Sequence, residues 1–448
     1  AVDAGLQPLH LLHFLMASSP PHPSREEEAL TEVRATEVTR TGGWVLTAVL
    51  LAVLAVGAVR EAARWQRGEP TAFAGPDPIP SPSAFLASWR SSGLLAANRR
   101  LRTGLAALED RLGRESAVSA DLRPAAQTVL TRLLGYGNSQ VIVGRQNWLY
   151  FRTEFDYLTG HPFLAPRELA RRRTLGARYA VPEPDPLPGL LQLHAELAER
   201  GIELVFFPVP VKAQVHPEPL ARMGTVAEST IENPSFPELV RRLGDAGLPV
   251  YDALPALRAA AREGEELYLP TDTHWNAAGM RVAAAGLAQF LSQRTKLPPH
   301  PPAGLRRRSL AHELEGDQTR LLGTGVGGAI FPNERLELDE IVGLGEVPYS
   351  VVPAAASDLL LLGDSYSLVF SALPGGRTAS FAEQLAFALD RPVRRSAKVA
   401  ANNLADRVHW LRQEPALLDG VRVVVYEVTA RALASADWKA ASLHPQVP

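Results

Sequence analysis

The sequence contains no cysteine. Disulfides, thiolate metal sites and a cysteine nucleophile are thereby excluded, while the compartment is left open. Lysine is scarce: of 46 basic residues only Lys212, Lys296, Lys398 and Lys439 are lysines. The 46 cations face 48 acids for a formal net charge of −2. So even a balance lacks the positive footprint of a nucleic-acid binder, and none is expected as a partner. The chain has no internal repeat and no Gly-x-Ser-x-Gly pentapeptide, so the nucleophile elbow of the α/β-hydrolases is missing. The glycine-rich GTGVGG (Gly323 to Gly328) is not framed by a strand and a helix. A dinucleotide or phosphate loop is therefore not expected there, and a mobile surface loop is.

What the chain does have is material for a large core: 448 residues, 46% apolar and 21% charged. Residues 1 to 41 read as a disordered polar tail. Gly42 to Val59 (GGWVLTAVLLAVLAVGAV) carries no charge and is bounded by Arg40 and Arg60, with Trp44 and Trp65 near its ends. It is long enough for a single transmembrane anchor, and the forty-residue tail before it argues against a cleaved signal peptide. Arg25, Arg34 and Arg40 on one side balance Arg60, Arg64 and Arg67 on the other, so charge does not fix its orientation. Residues 60 to 119 hold a Pro-rich spacer (EPTAFAGPDPIPSP) and an amphipathic helix marked by Leu94, Leu101, Leu105, Leu108 and Leu112.

From about residue 120 onward the periodicity alternates. Leu122 to Leu134 is expected to be helical and 139 to 160 to form a hairpin turning at Gly144 to Asn147. Strands follow at Glu203 to Phe207, Pro249 to Asp252, Leu359 to Leu362 and Val421 to Val428. Helices are expected at Leu190 to Glu199, Phe236 to Leu243, Asn276 to Leu291 and Phe381 to Leu389. Such alternation predicts an α/β fold with a parallel sheet flanked by helices, as one domain over 120 to 448. Residues 296 to 357 interrupt the pattern.

The chemistry is concentrated in two stretches. DLLLLGDSYS (Asp358 to Ser367) reads as a strand buried on both faces and ended by a Gly-Asp-Ser turn. Ser365 would then lie beyond the carboxyl end of the sheet, where ligands gather in open α/β folds. A serine needs a general base and a group to orient that base. YLPTDTHWN (Tyr268 to Asn276) supplies both, since Asp272 and His274, two apart in an extended segment, would face the same side. A two-metal phosphoesterase can also begin with Asp-x-His and a later Gly-Asp. It needs further acid and histidine ligands, and after Ser365 only His409 and His444 remain. No metal or other cofactor is expected. For an oxyanion the backbone N–H of Ser365 is one donor, and Asn402 or Asn403 is a candidate second, against the alternative of a helix N-cap before Leu404. Lys212 after PVPV, Arg431 after VVVYEV, and Tyr366 are candidates for holding the acceptor; Glu427 is the alternative partner for Arg431.

In order along the chain, VIVGRQNWLYF, PVPVKAQVHPE, TDTHWNAAG, LLLLGDSYS, ASFAEQLAFAL and VVVYEVTARAL resemble the AlgJ and AlgX group of alginate O-acetyltransferases, SGNH-hydrolase-like proteins of exopolysaccharide modification. The resemblance implies an SGNH-like domain and the roles of nucleophile, base and orienting acid for Ser365, His274 and Asp272. It implies acetyl transfer onto hydroxyls of an exported polysaccharide, with a carbohydrate acetyl esterase or a non-catalytic polysaccharide binder as alternatives. It also implies a periplasmic catalytic domain held at the inner membrane, residues 1 to 41 in the cytoplasm, and a multi-spanning membrane-bound O-acyltransferase as acetyl donor. The chain ends soon after Arg431, without the carbohydrate-binding module of some members, so polymer grip is expected from the catalytic domain.

Overall fold

The structure is a computed structural model that describes residues 39–444 apart from 70, 72–78, 175–180, 221–230, 325–329, 350–356, 372–377 and 400. The expected disordered tail therefore lies outside the described residues except for its last three, of which Arg40 and Thr41 are helical, and most of the spacer and most of GTGVGG lie outside them too. The chain divides into two compact units, Ala1–Pro76 with Arg111–Val118, and Asp77–Asp110 with Ser119–Pro448. In the first, a 27-residue helix, Arg40–Gln66, starts at Thr39, whose Oγ1 accepts the Gly42 N–H at 3.1 Å. It is long and apolar enough to cross a bilayer, and Trp44 and Trp65 near its ends are both exposed. The helix extends past the apolar stretch at both ends, since the flanking residues Arg40 and Glu61 to Gln66 are good helix formers.

The second unit is built on a four-stranded parallel sheet of β3 (Glu203–Val209), β8 (Val423–Thr429), β6 (Leu359–Gly363) and β7 (Arg394–Ala397), in that spatial order. The two central strands, LLLLG and VVVYEVT, are buried along their whole length. Their predominantly apolar character follows, because helices cover both faces of a parallel sheet. Each fully buried leucine or valine contributes about 1.5–3 kcal/mol. The helices that supply the cover include Pro186–Glu199, Ala277–Arg294, Phe381–Leu389 and Leu404–Gln413. Ala277–Arg294 opens on Asn276, whose Oδ1 caps the Gly279 N–H at 3.0 Å.

Two expectations need correction. Pro249 to Asp252 contributes a single bridge, Val250 to Phe206, because helix Leu254–Arg262 follows almost at once. The hairpin is real but short: β1 (Val141–Val143) pairs antiparallel with β2 (Leu149–Phe151), and the second half of the segment is helix Arg152–Thr159. The interruption at 296 to 357, to which the sequence assigned no element, has structure of its own. It contains a nine-residue antiparallel ribbon, β4 (Arg306–Leu314) with β5 (Glu334–Val342), and between the strands a short helix, Asp317–Leu322. Cross-strand Arg308–Glu340, and Arg281 and Arg307 both on Asp339, tie the ribbon down.

Candidate active site

All four parallel strands end on one edge of the sheet, and Ser365 follows β6 there. Gly363 is required by its surroundings: a Cβ on it would fall 2.3 Å from Ser367 Oγ and 2.7 Å from Glu427 Oε2. The next residue pins the turn. Asp364 Oδ1 accepts the Tyr366 N–H at 2.8 Å and Oδ2 accepts the Thr429 N–H at 2.9 Å. From β8, Glu427 Oε2 accepts the Asp364 N–H at 3.0 Å and the Ser367 hydroxyl at 2.6 Å. Burial, then the Asp364 charge, push the Glu427 carboxyl well above the usual carboxylate range. The turn is thus clamped to the neighbouring strand while the Ser365 side chain is left half-buried. Among the described residues the Ser365 N–H meets no acceptor, so it is free to serve an oxyanion.

His274 Nε2 lies 2.9 Å from Ser365 Oγ, and His274 Nδ1 lies 2.7 Å from Asp272 Oδ1. The Asp-His pair does not sit in an extended segment, as the spacing suggested. Residues 269 to 275 form a tight loop closed by the Leu269 N–H to His274 O bond and a Tyr268–Trp275 bridge. Within it Asp272 Oδ1 also accepts the His274 backbone N–H at 3.0 Å. The two side chains meet because the aspartate folds back over its own turn. Burial opposes charge on His274, but Asp272, and Asp317 beside it, prevail and raise its pKa above the ordinary imidazole value. Burial would also raise Asp272; the imidazole and two backbone N–H groups outweigh it and hold the carboxyl down at about 2.

The acceptor-binding residues expected from the sequence fare differently. Lys212 is corrected: it lies at the right edge of the sheet but is fully buried. Its Nζ donates to the carbonyls of Leu269 (3.0 Å), Pro270 (3.1 Å) and Asp272 (2.6 Å) and to Gln318 Oε1 (3.2 Å). Burial pulls its pKa down to about 8, and with four acceptors around it the ammonium serves the loop that carries Asp272. Tyr366 is corrected likewise. It is fully buried, donates to Thr273 O at 3.0 Å and packs its ring 4.8 Å from that of His274. Arg431 pairs with Glu154 at 3.4 Å and not with Glu427, which faces the serine turn; the same Nη1 reaches Thr429 Oγ1 at 3.1 Å. Glu154 itself is fully buried, and that burial pushes its carboxyl up to about 7. Asn402 is half-buried and, among the described residues, has no hydrogen bond to this cluster, whereas Asn403 is occupied by Asp406 and the Asp437 N–H.

Sequence reasoning missed Glu154, Gln318, Glu334 and Asp317. Glu334 Oε1 accepts from both the N–H and the hydroxyl of Thr271, and Asp317 Oδ1 does the same for Thr273. Only Glu427 carried a signal, an acid among valines in a strand buried on both faces. Asp272, His274 and Asp317 also form a group whose ligand atoms lie within 4.8 Å of one another. Both Asp272 oxygens and His274 Nδ1 already carry hydrogen bonds, so a cation there would have to break the aspartate–imidazole contact.

A parallel sheet with a serine turn at its carboxyl edge and a histidine–aspartate pair within reach is the arrangement of a serine-dependent α/β protein. Residues 141–430 match the family described as the SGNH hydrolase-like domain of the acetyltransferase AlgX, and the chain belongs to that family. Its curated relatives include the "Probable alginate O-acetylase AlgJ" of Pseudomonas fluorescens, 28% identical over 186 residues, 42% of each chain. The Pseudomonas putida protein of the same name is 28% identical over 191 residues, 43% of this chain and 44% of that one. The chain thus spans less than half the length of these relatives. Among solved structures, the O-acetyltransferase domain of Pseudomonas putida AlgJ aligns with TM-score 0.49 at 22% identity, covering 66% of this chain and 92% of that one. Pseudomonas aeruginosa AlgX aligns with TM-score 0.45 at 19% identity, covering 65% and 62%.

Proposed function

We propose that the chain is an O-acetyltransferase that moves an acetyl group onto hydroxyls of an exported polysaccharide through an acyl-Ser365 intermediate. The observation that carries this reading is the continuous hydrogen-bonded path from Ser365 Oγ through His274 to Asp272. Ser365 Oγ attacks the acetyl carbonyl carbon as His274 Nε2 takes its proton, and the proton passes to the departing donor group. A sugar hydroxyl then attacks the acyl-serine, gives its proton to His274, and the acetylated sugar leaves with Ser365 restored. Asp272 holds the imidazole and stabilises its charge. The Ser365 N–H receives the oxyanion, with Asn402 as the second donor and the outer edge of Arg431 facing the acceptor.

Arg40–Gln66 serves as the anchor in the inner membrane, with the serine domain on the periplasmic side. A membrane-bound O-acyltransferase delivers the acetyl group, because coenzyme A donors are cytoplasmic. Family membership and the apolar helix support this arrangement.

The test is intact-mass spectrometry after incubation with an activated acetyl ester, with and without oligosaccharide. An acetyl adduct on the wild-type chain, absent from a folded Ser365→Ala protein, together with acetylated sugar, is expected. Free acetate alone makes the protein an esterase, and no adduct makes it a binder.

A further inference from the structure

We propose that Asp317 is a fourth member of the Ser365–His274–Asp272 arrangement, a positioning residue that fixes Asp272 and shares the negative charge facing the His274 imidazolium. The proposal deepens the acyl-transfer reading and rests on it. Asp317 opens the short helix Asp317–Leu322 carried between β4 and β5. Its backbone N–H donates to Asp272 Oδ2 at 2.8 Å, the oxygen that His274 does not use. Its side-chain Oδ1 accepts the N–H (2.8 Å) and hydroxyl (3.0 Å) of Thr273, the residue between the aspartate and the histidine. Its other oxygen, Oδ2, stands 4.0 Å from His274 Nδ1. One residue thus holds Asp272 by its main chain, holds the loop by one oxygen and presents the second oxygen to the ring.

The close approach is built into the fold. The preceding Gly316 has no room for a Cβ, which would fall 2.1 Å from Thr271 O. The Gln318 N–H meets that same carbonyl at 3.2 Å, and Gln318 Oε1 accepts from Lys212. Besides Asp272 and Asp317, the groups facing His274 are the Tyr366 ring, Arg431, and behind them Glu154. Arg431 is the opposing charge, and Glu154 is its ion-pair partner.

When His274 takes the serine proton at Nε2, the new positive charge is on a ring whose Nδ1 faces two carboxyl groups. An opposite charge at that distance favours the charged form of an imidazole. Asp317→Asn isolates this contribution: the amide oxygen can still accept from Thr273 and the backbone N–H to Asp272 is untouched.

The full-length chain, in detergent, is assayed for kcat/KM on an activated acetyl ester across pH 4 to 9 beside the wild type, and the imidazole of His274 is titrated by NMR of histidine-labelled protein. The acidic limb is expected to move down by about one pH unit and the plateau to fall roughly tenfold. The NMR titration should move in the same direction. A folded Asp317→Asn protein with an unmoved limb and unmoved titration overturns the proposal, whether or not the plateau falls. If the variant does not fold, Asp317→Ser is titrated instead: a His274 pKa below that of the wild type supports the charge role and an unchanged pKa refutes it. Absence of ester turnover in the wild type would count against acyl transfer alone, since the imidazole titration still reads Asp317.

Discussion

Replacing Lys212 with methionine separates a lysine that holds the loop from one that touches substrate. The thioether fills the volume of the stem, so packing against Trp148 and Tyr150 is largely kept, and only the ammonium is lost. Four acceptors lose a donor, but not equally. Pro270 O keeps the Leu149 N–H at 2.8 Å, and Leu269 O keeps a long contact from the Asp272 N–H at 3.4 Å. Asp272 O and Gln318 Oε1 are left without their lysine donor. An orphaned buried acceptor costs about 1–3 kcal/mol, and the variant no longer buries a cation, which offsets part of the loss. A net destabilisation of about 2–4 kcal/mol follows. Urea unfolding followed by tryptophan fluorescence reads it, since Trp148 and Trp275 are both buried beside the loop. Ester turnover should fall at least tenfold with acidic and neutral acceptors alike, because the loop carrying Asp272 loosens. Unchanged stability, with a loss confined to acidic acceptors, would refute the reasoning and return Lys212 to the acceptor site.

Other outcomes follow from the same geometry. Gly363→Ala forces a methyl group against Ser367 and Glu427; a loss of about 1–3 kcal/mol and of most turnover is expected, and a thermal melt equal to the wild type would contradict it. Glu427→Gln keeps an oxygen to accept from Asp364 and Ser367, so activity should stay within a few fold at pH 7. A carboxyl raised above the ordinary glutamate value holds its proton to higher pH in the folded state, so its stabilising effect is present below that ordinary value and is lost as pH rises through the folded pKa. The glutamine variant should therefore lose less stability than the wild type as pH rises from mildly acidic to neutral, read by chemical unfolding, and a parallel loss would sink the assignment. Ser365→Ala should fold normally and lose several orders of magnitude in ester turnover, measured with purified protein.

The sequence by itself determined what depends on neighbours along the chain. LLLLG and VVVYEVT can only be strands covered on both faces, and the helix expected at Asn276 to Leu291 follows from its own periodicity. Placing Ser365 at the carboxyl edge of a parallel sheet needed nothing more. The Asp272–His274 contact was legible as a pair, though its cause was misread, since the two-residue spacing serves a turn as well as it serves a strand.

Only the tertiary structure decided what each charged group faces. Lys212 and Arg431 sit at the expected edge, yet whether a cation there meets solvent or a ring of carbonyls depends on the loop at 269 to 275 and on Glu154, far off in sequence. Asp317 shows this most plainly. It lies 43 residues beyond His274, in a short helix between two strands, the first of which has no buried residue to mark it as part of the core. Its approach to Asp272 depends on a glycine next to it that no periodicity marks. Local backbone preferences act over a few residues, whereas the partners of a buried charge are chosen by the packing of elements distant in the chain, and that choice is written nowhere in its immediate neighbours.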